Sequence, residues 1–179
     1  EKGNNFEWIR GNQLGGRSLL WHRQSYRWSD MDFSSNARDG YGTDWPVRYK
    51  DMKPWYDYVE EFVGVSGTLE GMEQLPDGIF LPPIGFNCAE EEFGRRIGNT
   101  YNDRRLIPGR CAHLTEPKPI HTDLGRGTCQ SRNQCQRGCS LGAYFSSQSA
   151  TLPAAKRTGN LTIITDSIVD SIIYDPKNK

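Results

Sequence analysis

Gly15-Gly16-Arg17-Ser18-Leu19-Leu20-Trp21-His22 is the stretch on which the reading of this chain turns. Adjacent glycines reach backbone angles that other residues avoid, so Gly15-Gly16 marks a tight turn. The run after it, Ser18-Leu19-Leu20-Trp21, can open a helix with Ser18 near its cap. Backbone N–H groups at such a start suit a phosphate oxygen. A Gly-Gly turn also occurs where nothing is bound, so its meaning depends on what accompanies it.

Outward from that turn the chain is thin in core material. Its 179 residues suffice for one domain. Leu, Ile, Val and Phe make up only about a fifth of them, near the level at which disorder competes with folding. Disorder also calls for a large net charge, and here 22 basic residues balance 22 acidic ones. Five Trp, eight Tyr and seven Phe add large buriable surfaces. With 19 Gly and 10 Pro, the expectation is a loop-rich α+β fold. Neutrality gives no general attraction to nucleic acid or anionic lipid. No apolar run is long enough to span a membrane. The opening Glu1-Lys2-Gly3-Asn4-Asn5 is polar and carries no signal peptide. Such a composition fits an internal piece that leans on the rest of a larger protein. The closing Asp175-Pro176-Lys177-Asn178-Lys179, which reads as half of a hairpin tip, fits that expectation too.

The clearest predicted helix covers 51–63. Asp51 can cap it, Pro54 sits early, and Gly64 can stop it. Trp55, Tyr58, Val59 and Phe62 fall on one face, which predicts packing by that aromatic side. Residues 65–88 read as loop. Residues 89–97 read as a short helix, and 102–128 as polar without period. A helix over 146–157 is limited by Pro153. The β-branched runs at 161–164 and 168–174 predict two short strands.

Five cysteines stand at 88, 111, 129, 135 and 139, and an odd count makes a poor disulfide framework. Cys129, Cys135 and Cys139 crowd together ahead of Ser140-Leu141-Gly142-Ala143. They read as inert buried thiols, as zinc ligands, or as iron–sulfur ligands. Zinc needs a fourth ligand, which Cys111, His113 or His121 could supply. The spacing matches neither common ferredoxin pattern.

Taken in order, these segments resemble the glucose–methanol–choline (GMC) family of flavoenzymes. Gly15-Gly16-Arg17-Ser18 is similar to the family's Gly-Gly-x-Ser segment. Asp44-Trp45-Pro46, Pro54-Trp55-Tyr56 and Gly64-Val65-Ser66-Gly67 resemble its entry into the substrate-side lobe. Residues 159–169 resemble the strand pair that returns to the FAD lobe. The Cys-x5-Cys-x3-Cys-x-x-Gly-Ala segment resembles that of bacterial glucose, fructose and gluconate dehydrogenases. Departures occur at Ser140, where relatives often have Pro, and at Gln130, where one relative type has a second Cys. Likeness is strongest at 8–67 and 129–174 and weakest at 70–125.

The resemblance implies an internal portion of a two-lobed flavoprotein. Residues 1–30 would be a flavin-contacting segment and 31–128 part of the substrate-side lobe. Residues 129–179 would hold the cysteine segment and the return to the FAD lobe. Gly15, Gly16, Arg17, Ser18, Leu20, Trp21 and His22 would lie beneath or beside FAD, and Val169 would meet its adenine edge. Leu20 stands where one branch has a covalently attached His, which implies a non-covalent flavin. Cys129, Cys135 and Cys139 would hold a three-iron [3Fe-4S] cluster that passes electrons to a haem-protein partner. The intact protein would oxidise a CH–OH group of a sugar or alcohol. The family's Gly-x-Gly-x-x-Gly turn and its catalytic His do not occur here, and His113 and His121 lie in the wrong part of the chain for that base. Location follows the branch: the inner membrane or periplasm for cluster-bearing relatives, otherwise the cytoplasm. Two rival classes stand beside this reading, a zinc-stabilised interaction module and an aromatic-rich carbohydrate-binding domain.

Overall fold

The computed structural model describes Gly3 and residues 10–177. The rest of the polar start and the closing Asn178-Lys179 lie outside the described residues. Among the described residues six helices are present: α1 (Asp30–Phe33), α2 (Ser35–Asp39), α3 (Tyr49–Val63), α4 (Cys88–Thr100), α5 (Pro119–Thr122) and α6 (Thr151–Arg157). Single 3-10 turns occupy Gly16–Leu19 and Cys135–Arg137. The expected helix after Gly15-Gly16 is thus only the first of these turns.

Helix α3 begins two residues before Asp51, whose carboxylate accepts the Arg48 backbone N–H at 2.9 Å. It ends where Gly64 turns left-handed, with φ of 79°. Of the expected face only Phe62 packs on the core. Trp55, Tyr58 and Val59 are exposed, while Glu60 and Val63 are buried. The cause is Arg27, a buried cation whose guanidinium reaches Glu60 at 2.5 Å and Asp57 at 2.5 Å. A cation out of water needs paired carboxylates, and this requirement outweighs aromatic burial. Helix α4 extends past the predicted end, to Thr100. Asn87 caps it by accepting the Ala89 and Glu90 N–H groups at 3.0 Å, and Glu90 returns the bond to the Asn87 N–H at 2.8 Å. Helix α6 takes up the second half of the predicted 146–157, with Pro153 in its first turn.

Residues 110–114 form the hub of the fold, inside the stretch that looked featureless. Arg110, Cys111, Ala112 and Leu114 are all buried. On one side Ala112 N–H donates to Arg23 C=O at 2.8 Å. On others, Ser66 and Cys111 exchange backbone bonds at 2.9 and 3.0 Å, and Phe145 N–H donates to Ala112 C=O at 3.0 Å. Leu114 N–H donates to Ala143 C=O at 3.0 Å, and Cys129 N–H to Leu114 C=O at 2.7 Å. These are isolated bridges rather than ladders, so the hub is an irregular knot of extended segments.

Two small apolar clusters flank this knot. Val63, Val65 and Ala112 gather Trp21, Phe62, Phe80 and Phe145. Leu81, Leu114 and Ala143 gather Cys129, Cys139 and Leu141. With so little aliphatic material, arginines complete the interior. Arg23, Arg27, Arg110 and Arg126 are each no more than 3% exposed. Arg126 donates to the carbonyls of Gly142, Phe62 and Ala143. Arg23 donates to those of Phe145, Trp21, Leu19 and Ser18 and lies over the Tyr144 ring at 3.6 Å. These cations satisfy backbone acceptors that the missing ladders leave open.

The two strands expected at 161–164 and 168–174 do not form. Residues 160–175 run without regular structure, and Ile168, Val169, Ile172 and Ile173 are almost fully exposed. β-branched side chains favour a strand only where another strand can pair with it. Among the described residues, no helix is long and apolar enough to cross a membrane.

Candidate functional site

The glycine turn lies against the chain that leaves the cysteine loop, where Ser18 meets Ser147 across 129 residues. Ser18 Oγ donates to Gly15 C=O at 2.7 Å, accepts the Ser147 N–H at 3.0 Å, and stands 2.7 Å from Ser147 Oγ. Gly15 has φ of 95°, and a Cβ there would lie 3.0 Å from Ser147 Oγ and 3.1 Å from Gln148 Cγ. Glycine is therefore required at 15 by conformation and packing alone. Gly16 completes the turn through its N–H to Gln13 C=O at 2.9 Å.

A cavity of about 700 Å³ opens beside this junction. Leu19 and Leu20 form one wall, and Cys139, Ser140 and Arg137 part of another. Its size falls within the range of small-ligand and cofactor sites, about 300–1,000 Å³. Of the other predicted flavin-side residues, Arg17 and His22 are exposed. The Trp21 ring packs inward, edge-on to Phe145 at 6.1 Å between centroids. His22 shares a separate cavity of about 420 Å³ with Cys135 and Tyr144. Val169, 84% exposed on the C-terminal arm, is not brought to this junction. A larger cavity of about 940 Å³ between Met72, Phe93, Tyr101 and Arg105 holds none of the predicted residues.

The cysteine loop is wound by backbone in left-handed conformations: Ser131 (φ 50°), Asn133 (φ 51°), Gly138 (φ 98°) and Gly142 (φ 62°). This winding brings Cys129, Cys135 and Cys139 onto one cavity of about 170 Å³, which His113 and Tyr144 also line. All three are free thiols; Cys129 and Cys139 are half-buried and Cys135 is exposed. Among the described residues, no three His, Cys, Asp or Glu side chains converge closely enough to close on one metal ion. The arrangement is a lined cavity.

The structure also separates the candidates for a fourth ligand. Cys111 does not line the cavity; its Sγ faces His22 C=O at 3.8 Å, and burial pushes its thiol up to about 11. His121 is fully buried and committed: Nδ1 accepts the Lys118 N–H at 2.9 Å, and Nε2 meets Glu61 C=O at 2.7 Å. His113 alone of the three lies on the cavity, and its Nε2 is buried with no hydrogen-bond partner. Burial lowers its pKa, because desolvation disfavours the charged imidazolium. Arg126, pushed down to about 10 by desolvation, braces the loop from beneath. Cysteine spacing pointed to the loop, but no local pattern marked His113 or Arg126.

No protein-family model matches the chain. It is similar to the fructose dehydrogenase large subunit of Gluconobacter japonicus, 26% identical over 170 residues, which cover 93% of this chain and 30% of that protein. It is similar to the paromamine 6'-oxidase of Streptomyces fradiae, 28% identical over 162 residues, covering 88% of this chain and 28% of that one. A third likeness, to the 2-methyl-1,2-propanediol dehydrogenase of Mycolicibacterium austroafricanum, is 28% identical over 93 residues, 49% of this chain and 17% of the relative. The chain thus spans under a third of the length of the curated relatives it matches.

Proposed function

We propose that this chain is part of a GMC-type, FAD-dependent oxidoreductase that oxidises a CH–OH group of a sugar or alcohol. Cys129, Cys135 and Cys139 hold its iron–sulfur group. The observation that carries this reading is the junction of the two predicted segments. Ser18 and Ser147 lock the glycine turn to the chain just after the cysteine loop, and Leu20 and Cys139 line one 700 Å³ cavity. Distant likeness to two dehydrogenases and an oxidase supports the same class.

FAD, when bound, supplies the hydride acceptor for the alcohol carbon. The residues of this chain do the holding. Arg23 ties the backbone of Ser18, Leu19 and Trp21 to Phe145, which fixes the wall that Leu19 and Leu20 present. Arg126 holds Gly142 and Ala143, which fixes the far end of the cysteine loop. The exposed apolar arm at 161–174 is consistent with a segment that packs on the FAD lobe, Val169 included. The fructose dehydrogenase relative is named as a large subunit, so that protein has a further subunit; in this reading the corresponding partner here is a haem protein that accepts electrons.

A zinc-stabilised module is the second reading: His113 lines the same cavity as the three cysteines, and zinc binding would have to draw these four together, since among the described residues no such group closes on one ion. Flavin and metal content of the full-length protein, purified without oxygen, decides between them. FAD with about three irons per chain supports the proposal, as the cluster type requires. Zinc without flavin favours the interaction module. FAD without iron retains the oxidoreductase and leaves the cysteines structural.

A further inference from the structure

Among the described residues four arginines are buried, and they fall into two pairs. Arg27 and Arg110 lie away from the cavity of about 700 Å³, and both have carboxylates. Asp57 and Glu60 pair with Arg27, and Asp77 pairs with Arg110 at 2.9 Å. Arg23 and Arg126 underlie the wall of that cavity, and among the described residues neither has an ion pair. Carbonyl oxygens accept their N–H groups but bring no net charge. Burying a cation without a counter-charge is costly. Desolvation lowers the pKa of both; only Cys139 opposes it at Arg126, and Tyr144 and two thiols oppose it at Arg23. The two buried cations that lack a carboxylate are thus the two at the cavity.

The cavity lining repeats this asymmetry. Arg137, exposed at the end of the 3-10 turn Cys135–Arg137, also lines it, and no Asp or Glu does. A cleft lined by one sign of charge, with low-dielectric walls, focuses its field on whatever enters. The remaining polar lining is neutral: the hydroxyls of Ser140, Ser146 and Ser149 and the amides of Gln13 and Gln148. Groups that both donate and accept suit the hydroxyls of a sugar. A dinucleotide diphosphate would call for free backbone N–H groups. On the glycine turn, those of Gly16 and Ser18 are already given to the Gln13 and Gly15 carbonyls, at 2.9 and 3.1 Å. We infer that this cavity takes the substrate, and that the substrate is an anionic sugar or polyol bearing a carboxylate or phosphate group. Arg137 contacts the anion directly, while Arg23 and Arg126, sealed beneath the wall, supply the field. This inference rests on the proposed CH–OH oxidation.

The test uses the full-length protein as wild type, Arg137→Gln and Arg137→Lys. Flavin content is measured first and reports on the oxidoreductase reading by itself. Binding of D-glucose, D-glucuronate and D-glucose 6-phosphate is then followed by calorimetry at low and high salt. Phenylglyoxal modification of Arg137 is mapped by peptide mass with and without each sugar. At least one anionic sugar should bind more tightly than glucose, weaken with salt, and shield Arg137 from phenylglyoxal. Arg137→Gln should weaken that sugar about tenfold, the low end for a hydrogen bond to a charged group because Arg137 stands partly in water, and should leave glucose unchanged. Arg137→Lys, which keeps the charge, should fall between. Preference for glucuronate assigns a carboxylate, and preference for the phosphate ester assigns a phosphate. Equal binding of all three sugars, or of none, overturns the inference. So does an Arg137→Gln protein that loses FAD but keeps its affinity for the anionic sugar, since the charge then serves the cofactor. Anion preference through Arg137 in a protein without flavin supports the anion site and sinks the oxidoreductase reading instead.

Discussion

Ser18 and Ser147 place their Oγ atoms 2.7 Å apart, across 129 residues of chain. Each hydroxyl has one proton to give. Ser18 gives its proton to Gly15 C=O at 2.7 Å, so Ser147 is the donor of the pair. Ser18 Oγ also accepts the Ser147 N–H at 3.0 Å. One oxygen thus closes the glycine turn and ties it to the chain that leaves the cysteine loop.

Replacing that oxygen should loosen both. Ser18→Ala leaves the Ser147 N–H without its acceptor and takes the side-chain bond from Gly15 C=O, which keeps the residue-18 N–H at 3.1 Å, while Ser147→Ala removes one hydroxyl and leaves that N–H paired. Leaving a buried polar group unmade costs about 1–3 kcal/mol. Ser18→Ala should therefore lower the urea midpoint clearly more than Ser147→Ala. Equal losses would show that Ser18 is not the pivot.

Acid should unfold the protein through Asp57 and Asp77. Burial alone would raise the Asp57 pKa, but hydrogen bonds from Lys53 and Arg27 outweigh it and hold the carboxyl below its ordinary value. For Asp77, burial is likewise overcome by the Glu70 and Gly71 N–H groups and by Arg110. A depressed folded pKa gives stability that is present above the unfolded pKa and is lost as pH falls through the folded one. Stability should hold down to about pH 5 and fall steadily below about pH 4. The double variant Asp57→Asn/Asp77→Asn should show a shallower fall in denaturation midpoint over that range. An unchanged slope would remove these two carboxylates from the acid response.

Helix α3 was legible because its end signals, Asp51 and Gly64, act within a few residues, whereas α4, read as 89–97 without its Asn87 cap, was drawn too short. Which side of α3 faces inward was not legible. Periodicity counts apolar residues, and it cannot see that Arg27, more than 20 residues earlier, needs Glu60 and Asp57. The hub at 110–114 was hidden for a related reason. Its pairings reach Arg23, Ser66 and Phe145 by one or two bonds each, so no local alternation announces it. The β-branched runs near the end misled in the other direction, since Ile168 and Val169 favour a strand that nothing among the described residues pairs with. Cysteine spacing revealed the loop and left Cys111, His113 and His121 as equal alternatives for a further ligand, and only the fold shows that Cys111 and His121 are otherwise engaged.

Gly64 is constrained twice, and a matched pair of variants separates the two costs. Its φ is 79°, and a Cβ there would lie far inside contact distance of Leu114 Cδ2 and 3.2 Å from His121 Nε2. Leu114 is fully buried, so it has no room to step aside. Gly40, which ends α2 with φ of 67°, has nothing within 4 Å of such a Cβ. Gly40→Ala should cost only the backbone term, about 1–2 kcal/mol. Gly64→Ala should add about 1–3 kcal/mol of overpacking. Chemical denaturation of both variants measures the difference, and equal costs would mean that the Leu114 contact relaxes freely.

The five thiols should differ sharply in reactivity, and the pattern should change when the cavity is filled. Burial pushes Cys111 up to about 11 from 9.0. A raised folded pKa means its contribution to stability is full below about 9 and is lost as pH rises toward 11. Near pH 8 that shift leaves about 100-fold less thiolate than an ordinary cysteine has. In the folded, metal-free protein, iodoacetamide should label the exposed Cys88 and Cys135 first, then the half-buried Cys129 and Cys139, and Cys111 last. In protein isolated with its iron, Cys129, Cys135 and Cys139 should all be protected, leaving Cys88 as the fast site. Peptide mass mapping of both forms reads this directly. Cys135 is the discriminating residue, because nothing in the protein shields it. If it reacts equally fast in both forms, it is not a ligand, and the three-cysteine assignment fails with it.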